Sequence, residues 1–375
     1  MTDKATGEGA VAYRDNAHSD ARWHFENRIC DRSTMGTAAS PPDITTAPGS
    51  LKQTLRAYCK PRLARSIVEI LITAIPFALT WALAWLALSA GYWPVALVLA
   101  IPAAGFLVRL FMIQHDCSHR SFFRSRRAND WAGRIIGVLT LTPHDYWRHS
   151  HNLHHANSGN LDRPRIGGLD TLTVREFQAL PRWQQWRYRL YRHPLVLFGF
   201  GPMYIFLLNY RLPFRSMRDG WMPWISTMGT NAAIAVLVTG MIWLVGVVPF
   251  LLVQVPITLL ASTLGVWLFY VQHQFETTYW EHDEHWNAHD AALQGSSYYV
   301  LPGILRWFSA NIGVHHVHHL ASRIPSYRLP EVLRDYPQLQ TFSRITLRES
   351  IESVRLALWD EDKRRLVSFR EASIG

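Results

Sequence analysis

Residues 66–90 read SIVEILITAIPFALTWALAWLALSA, an apolar run whose single charged residue is Glu69. The hydrocarbon core of a bilayer is about 30 Å thick, and a helix of about twenty apolar residues spans it. This stretch therefore predicts a transmembrane helix. After a short turn at Gly91, residues 93–114 form a second apolar run with one charge, Arg109. The two runs together predict a helical hairpin.

A second long apolar stretch follows later in the chain and is divided near Pro249. It predicts two more crossings, at residues 226–248 and 250–272. A shorter apolar run at residues 195–210 is interrupted by glycine and proline, which indicates an interfacial or re-entrant element. The sequence thus predicts an all-α integral membrane protein with four transmembrane helices in two hairpins, interfacial helices and a helical cap.

Basic residues flank the first hairpin at both of its ends. They are Lys52, Arg56, Lys60, Arg62 and Arg65 before it, and Arg120, Arg124, Arg126 and Arg127 after it. Because cytoplasmic flanks are enriched in Lys and Arg, both hairpins are expected to open toward the cytoplasm. This orientation predicts a multi-pass protein of a bacterial inner membrane, with both termini and the cap on the cytoplasmic side.

The remaining segments complete the predicted organisation. We expect a flexible N-terminal tail at residues 1–50, a membrane domain at 51–340 and a helical cytoplasmic tail at 341–375. The formal net charge is +10, but the arginines sit beside the apolar runs and not in a basic arm. No nucleic-acid partner is therefore expected.

Histidine carries the chemical signal, because ten of the 18 histidines fall in three short clusters. The first cluster is HDCSH at residues 115–119, the second HSHNLHH at 149–155 and the third HHVHH at 315–319. Offsets of three and four residues place side chains on one face of a helix, where they can converge on a metal. The residues with these offsets are His115, His119, His151, His154, His155, His315, His318 and His319.

The predicted topology brings the three clusters to one side of the membrane. The first two follow the second crossing and the third follows the fourth, so an even number of crossings separates them. His273 ends the fourth crossing at the same level and is a candidate ninth ligand. His149 and His316 break the offsets and are expected to be bystanders.

Eight or nine imidazoles are enough for two metal ions. Neutral imidazole binds Zn, Fe, Cu and Ni, so the ligand type does not name the metal. Paired redox metals that activate O2 are the better account of so many ligands, although the Glu-x-x-His motif of soluble di-iron bundles is absent from the clusters. Asp116, Asp145 and Glu276 are candidates to orient ligand imidazoles through their second N–H.

The residues also resemble a known family, the membrane fatty acid desaturase superfamily. Five segments carry the resemblance to bacterial acyl-lipid desaturases of the delta-5 and delta-12 type: HDCSHRSFF, ANSGNLD, YVQHQFE, AALQGSSYY and NIGVHHVHHLASRIPSYRL. It covers about residues 60–340. The resemblance implies a four-helix membrane fold with a cytoplasmic cap and two iron ions held by the eight cluster histidines and His273.

The same resemblance implies the reaction and its partners. A double bond would be introduced into an acyl chain with O2 and two electrons. Three residues separate the histidines of the first cluster where animal acyl-CoA desaturases have four, which favours a lipid-linked chain. The sequence carries neither a dinucleotide fingerprint nor a haem-binding domain, so an external donor such as a ferredoxin-like protein is expected.

Two alternatives and several details stay open at this point. One alternative is a hydroxylase or ketolase of the same superfamily that acts on a lipid or carotenoid. The other is a histidine-rich metal transporter, which would place ionisable residues along a path at mid-membrane, whereas the predicted spans hold only Glu69 and Arg109. The double-bond position, the acyl carrier (phospholipid, acyl-CoA or acyl-carrier protein), the donor and the oligomeric state do not follow from the sequence.

Overall fold

The computed structural model describes residues 48–164 and 166–373. The predicted tail at residues 1–50 lies outside these ranges except for its last three residues, which begin a helix. The α-helices of the described residues are α1 (Pro48–Leu55), α2 (Leu63–Ser89), α3 (Trp93–Ser118), α4 (Arg126–Leu139), α5 (His144–Asn157), α6 (Val174–Ala179), α7 (Arg182–Tyr191), α8 (Gly201–Met203), α9 (Trp221–Val245), α10 (Val247–His273), α11 (Ala288–Gln294), α12 (Gly303–Phe308), α13 (His315–Leu320), α14 (Leu329–Asp335), α15 (Leu347–Glu352) and α16 (Phe369–Ala372).

Four of these helices, α2, α3, α9 and α10, are long and apolar enough to cross a membrane. They confirm the predicted pair of hairpins. The largest difference in bounds is the start of α9, at Trp221 rather than at residue 226. Gly91 and Gly246 form the two turns with φ of +83° and +87°. Only glycine adopts this left-handed region without steric cost, so the first hairpin closes within three residues and the second within one.

α3 is the centre of the membrane-spanning part. It packs between α2 and α10, and the buried face of its first half is built from Ala96, Ala100, Ala103, Ala104 and Gly105. Small residues let transmembrane helices approach closely. α9 buries little of its surface, and its buried residues Pro223, Thr227 and Thr230 all lie in its first half. Because α3 packs directly against α10, the C-terminal ends of these two helices lie next to each other.

The two charges inside the spans neutralise one another. Arg109 of α3 pairs with Glu69 of α2, and both side chains are buried. The Arg109 guanidinium also donates to the Trp307 carbonyl and to Thr73 Oγ1, the latter at 3.2 Å. Ionisable groups in a membrane are costly unless they are paired, so this network joins α2, α3 and α12.

Residues 195–210 do not form a full span. Two π-helical segments, Val196–Phe200 and Tyr204–Leu208, flank α8, and Leu195, Phe200 and Leu208 are exposed. A short apolar element of this kind agrees with the predicted interfacial or re-entrant segment.

The cap differs from the prediction because it contains strands. They are β1 (Leu172–Thr173), β2 (Tyr298–Val300), β3 (Arg344–Thr346), β4 (Leu356–Asp360) and β5 (Arg365–Ser368). β1 and β4 are parallel, β4 and β5 are antiparallel, and β2 and β3 are parallel.

The predicted helical tail at residues 341–375 was wrong for this reason. The charged run at residues 361–364 forms a turn between β4 and β5, where Arg364 has φ of +51°. The strands on either side bury apolar side chains, including Leu358, Leu366 and Val367. Contacts with α6 and α7 fix this hairpin, and the sequence pattern alone does not reveal such long-range pairing.

Candidate metal centre

Four helices bring nine histidines together at one end of the membrane-spanning part. α3 carries His115 in its last turn, and His119 directly follows its end. α5 carries the second cluster, α13 the third, and His273 is the last residue of α10. Seven of the nine side chains are buried and two, His155 and His319, are half-buried.

The nine rings form two groups. The five-histidine group contains His115, His119, His151, His155 and His318, and the four-histidine group contains His154, His273, His315 and His319. Within each group the candidate ligand atoms lie within 4.8 Å of one another. Each group draws on three separate elements, so the site exists only in the folded chain.

The spacing of the ring nitrogens suits metal ions. Nε2 atoms are 2.9 Å apart in His119–His151, 3.1 Å in His151–His155 and 3.2 Å in His155–His318. In the other group they are 3.0 Å apart in His154–His273 and His273–His315, and 3.1 Å in His315–His319. A metal binds imidazole nitrogen at about 2.0–2.1 Å, so two ligands at right angles on one ion are about 3 Å apart.

The protonation state of the rings also suits metal binding. Burial removes hydration and lowers the pKa of His151, His154, His155, His315 and His318 well below the usual value, and neighbouring imidazoles lower it further. His319 is shifted in the same direction by the same causes. Neutral imidazole is the form that offers a lone pair to a metal.

Two contacts that the sequence reasoning missed fix ligand rings. The Trp147 ring stacks on His151 with centroids 4.5 Å apart and an interplanar angle of 12°. His273 Nδ1 lies 3.1 Å from the carbonyl oxygen of Gly295, which accepts its hydrogen bond and leaves Nε2 directed at the other rings. Trp147 stands four residues before His151 on α5, and this spacing was the available signal.

Asp116 lies beside the five-histidine group. Its Oδ1 atom is 3.6 Å from His115 Nδ1, and its Oδ2 atom accepts a hydrogen bond from the Ser326 backbone N–H at 2.8 Å. The first distance is longer than a hydrogen bond. Asp116 therefore connects α3 to the segment after α13 and faces a ligand ring without a direct bond.

The other two candidate carboxylates bind arginines and not ligand imidazoles. Asp145 pairs with Arg134 at 2.8 Å and with Arg148 at 3.0 Å, and these contacts lower its pKa against the effect of burial. Glu276 is exposed and pairs with Arg365 of β5. The strong attraction between guanidinium and carboxylate explains both arrangements.

The expected bystanders belong to neither group. His316 Nε2 donates to the Leu339 carbonyl at 2.8 Å, so this ring faces α14 and the segment after it. His149 is half-buried on α5 and lies outside both groups.

Two cavities flank the histidines. The membrane-side cavity lies between α3 and α10 and is lined by Leu107, Val108, Phe111, Leu139, Thr140, Leu141, Phe206, Thr258, Ala261, Ser262 and Gly265. The cap-side cavity borders the four-histidine group, with His154, His273, Phe269 and Trp280 among its walls. Gly265 and Phe269 are one helical turn apart on α10, so the two cavities follow one another along this helix.

Sequence comparison assigns this arrangement to a family. The family model described as fatty acid desaturase matches residues 90–350. The chain belongs to the fatty acid desaturase family. A fatty acid desaturase of Bacillus subtilis (strain 168) is 44% identical over 320 residues, which are 85% of this chain and 90% of the relative.

Two more distant desaturases align with about 60% of this chain. An sn-1 acyl-lipid omega-3 desaturase (ferredoxin) of Synechocystis sp. is 29% identical over 236 residues, 59% of this chain and 61% of the relative. An sn-1 oleoyl-lipid 12-desaturase of the same organism is 28% identical over 60% of this chain and 63% of its own length. The desaturase is therefore an oxidoreductase with four candidate membrane helices, and the expected resemblance is confirmed at the family level. The delta-5 or delta-12 subtype stays a prediction.

Proposed function

We propose that the protein is a di-iron acyl-lipid desaturase that introduces a cis double bond with O2 and two electrons from an external donor. The observation that carries the proposal is the pair of imidazole groups at the membrane border, directly above an apolar cavity. The family membership favours desaturation over the hydroxylase and transporter alternatives.

The nine histidines of the two groups would hold two iron ions. When bound and reduced, such a pair supplies the oxidising power that removal of hydrogen from an unactivated methylene requires. The chain's own contribution is to hold the ligand imidazoles in fixed positions and orientations. Trp147 and the Gly295 carbonyl fix two of these rings, and burial of the centre limits the access of water.

The membrane-side cavity is suited to an acyl chain. Its α3 wall runs from Leu107 to Phe111, one turn before His115, and its α10 wall ends at Gly265, eight residues before His273. At 1.5 Å per residue, Gly265 lies about 12 Å along the helix from His273. Apolar walls at this depth fit methylenes, while a lipid headgroup would remain at the membrane surface. The two Synechocystis relatives are an acyl-lipid and an oleoyl-lipid desaturase by name, which supports the same substrate class.

The distribution of charge supports the proposed electron donor and orientation. Arg124, Arg126 and Arg127 are exposed at the start of α4, on the same side of the membrane as the histidines. Under the positive-inside rule this side is cytoplasmic, in a bacterial inner membrane. An acidic ferredoxin-like protein fits such a surface, and one Synechocystis relative has ferredoxin in its name.

Product analysis tests the proposal. Lipids from a host that expresses the desaturase are separated by gas chromatography with localisation of double bonds, beside His318→Ala and a matched control, His193→Ala, which changes an exposed histidine outside both groups. We expect a new double bond with the unmodified protein and with His193→Ala, and none with His318→Ala. Identical lipids in all three cultures, or only hydroxylated or ketone products, would contradict the proposal.

A second assay addresses the acyl carrier. The purified, iron-loaded enzyme in vesicles of isotope-labelled phospholipid, with a reducing system and no coenzyme A, is expected to desaturate chains that stay esterified. Product that forms only after acyl-CoA is added would contradict the lipid-linked substrate.

A further inference from the structure

α7 has an outer face that combines aromatic and basic residues. Trp183 and Trp186 are 57% and 63% exposed, and Leu190 is also exposed. Spacings of three and four residues place these three side chains on one face of the helix. Large exposed apolar side chains in such a row indicate a surface that a partner or a membrane covers.

Arginines accompany this row. Arg182, Arg187 and Arg189 are exposed, and in the described part of the chain none of them pairs with a carboxylate. The Arg187 guanidinium lies 5.4 Å from the centre of the Trp183 ring, and Arg189 lies 4.5 Å from the ring of Phe369. α7 therefore presents three exposed arginines without a carboxylate partner among the described residues. Arg182 and Arg187 lie beside the two tryptophans, and Arg189 lies at the edge of this face over Phe369 and Phe177.

The apolar surface of α7 continues into the lipid-facing surface of the desaturase. The chain that follows α7 exposes Leu195, Phe200, Tyr204 and Leu208 before it reaches α9. The described residues contain no candidate span between α3 and α9, so α7 and the histidines lie on the same side of the membrane. Trp is enriched at the height of the lipid headgroups, and an exposed tryptophan row that leads into an exposed apolar segment is typical of a helix at that height.

The inner face of α7 packs on β4, and the residue after the helix contacts a wall of the cap-side cavity. Tyr188 donates a hydrogen bond to the Ala357 carbonyl of β4 at 2.8 Å. Arg192, which follows the helix, donates to Gln274 Oε1 at 2.9 Å, and Gln274 lines the cap-side cavity next to His273. α7 thus stands between the membrane surface and a wall of that cavity.

We propose that the outer face of α7 binds the headgroups of anionic glycerophospholipids. The arginines contact lipid phosphates, and the two tryptophans and Leu190 enter the interface beside them. A soluble acidic protein would match the arginines but would leave the tryptophan row and its continuation into the bilayer without an equivalent partner. The proposal is independent of the metal and of the reaction.

Native mass spectrometry of the iron-loaded, full-length protein tests this surface. Micelles are supplemented with equal amounts of phosphatidylglycerol and phosphatidylcholine, and the ratio of the two lipid adducts is measured. We expect phosphatidylglycerol to dominate. One arginine near an anionic surface strengthens binding about fivefold, so Arg182→Gln/Arg187→Gln/Arg189→Gln should lower the ratio by about a hundredfold. Arg187→Gln alone should lower it about fivefold, which preserves the test if the triple variant does not fold.

A charge-matched triple variant is the control. Arg163, Arg334 and Arg364 pair with carboxylates on the cap, and their replacement by Gln changes the net charge equally. We expect the lipid ratio of this control to equal that of the unmodified protein. A ratio near one in the unmodified protein, or an equal decrease in both triple variants, would overturn the proposal. It would also be overturned if the α7 variants kept the lipid ratio but lost binding to an acidic redox protein.

Discussion

Gly265 offers a direct test of the membrane-side cavity as the acyl-chain site. A Cβ atom at this position would meet no atom within 4 Å, so Gly265→Leu can place its side chain in the cavity without moving the backbone. The leucine would close the cavity about 12 Å from His273 along α10 and cut off the part lined by Ala261 and Thr258, which lies about 6–10 Å deeper.

The expected effect follows from the methylenes that are excluded. Each methylene kept out of an apolar site costs about 0.8 kcal/mol, and a stearoyl chain is about two methylenes longer than a palmitoyl chain, so the stearoyl chain loses about 1.6 kcal/mol more, or about fifteenfold in kcat/KM. The ratio of desaturated stearoyl to desaturated palmitoyl chains should therefore fall by about fifteenfold when both are supplied together. Gas chromatography of the host lipids measures this ratio.

Gly240→Leu is the matched control for this prediction. Gly240 lies in α9 and also has open space around an added Cβ, but it does not line the cavity. Leu is more favourable than Gly inside a helix by about 0.5–1 kcal/mol. The substitution therefore favours the helix in both variants, and neither should unfold. An unchanged product ratio in Gly265→Leu at equal protein level would refute the assignment of the cavity.

Three further predictions concern stability and metal content. Arg109→Met should lower the free energy of unfolding by about 1–3 kcal/mol, because Glu69 stays buried and keeps only its ion pair with Arg65. Adding Glu69→Gln should recover part of this loss, and simple additivity of the two substitutions in thermal denaturation would contradict the ion pair. Burial lowers the pKa of His144 to about 4, below the unfolded value of about 6.5, so the unfolded chain takes up the proton first as pH falls. The free energy of unfolding should therefore be about 2 kcal/mol lower at pH 5 than above pH 6.5. Denaturation curves of the metal-free protein should depend less on pH for His144→Gln than for the unmodified chain. His115→Ala changes the five-histidine group and His154→Ala the four-histidine group, so each variant should bind about half as much metal as the unmodified protein. Inductively coupled plasma mass spectrometry measures the metal content, and loss of all metal in both variants would argue against two separate groups.

The membrane topology was largely predictable from the sequence. A backbone in hydrocarbon must satisfy its own hydrogen bonds, so a long apolar run has few alternatives to a helix. Residues 66–90 and 93–114 could therefore be assigned without any knowledge of their neighbours, and α2 and α3 lie close to these bounds. The C-terminal strands were not predictable in this way, because β4 depends on pairing with β1, more than 180 residues earlier in the chain.

Histidine spacing by itself identified eight of the nine histidines that meet, since offsets of three and four hold on any helix, and His273 was added from its position at the end of the fourth crossing. Only the tertiary structure decided how they divide: His151 and His155 join one group, while His154, between them in sequence, joins the other. The division depends on how α5 and α13 are rotated against the ends of α3 and α10, which packing sets and local spacing does not. For the same reason, Asp145 and Glu276 were predicted to orient ligand imidazoles because they lie near the histidines along the chain. In the structure both carboxylates form ion pairs with arginines instead.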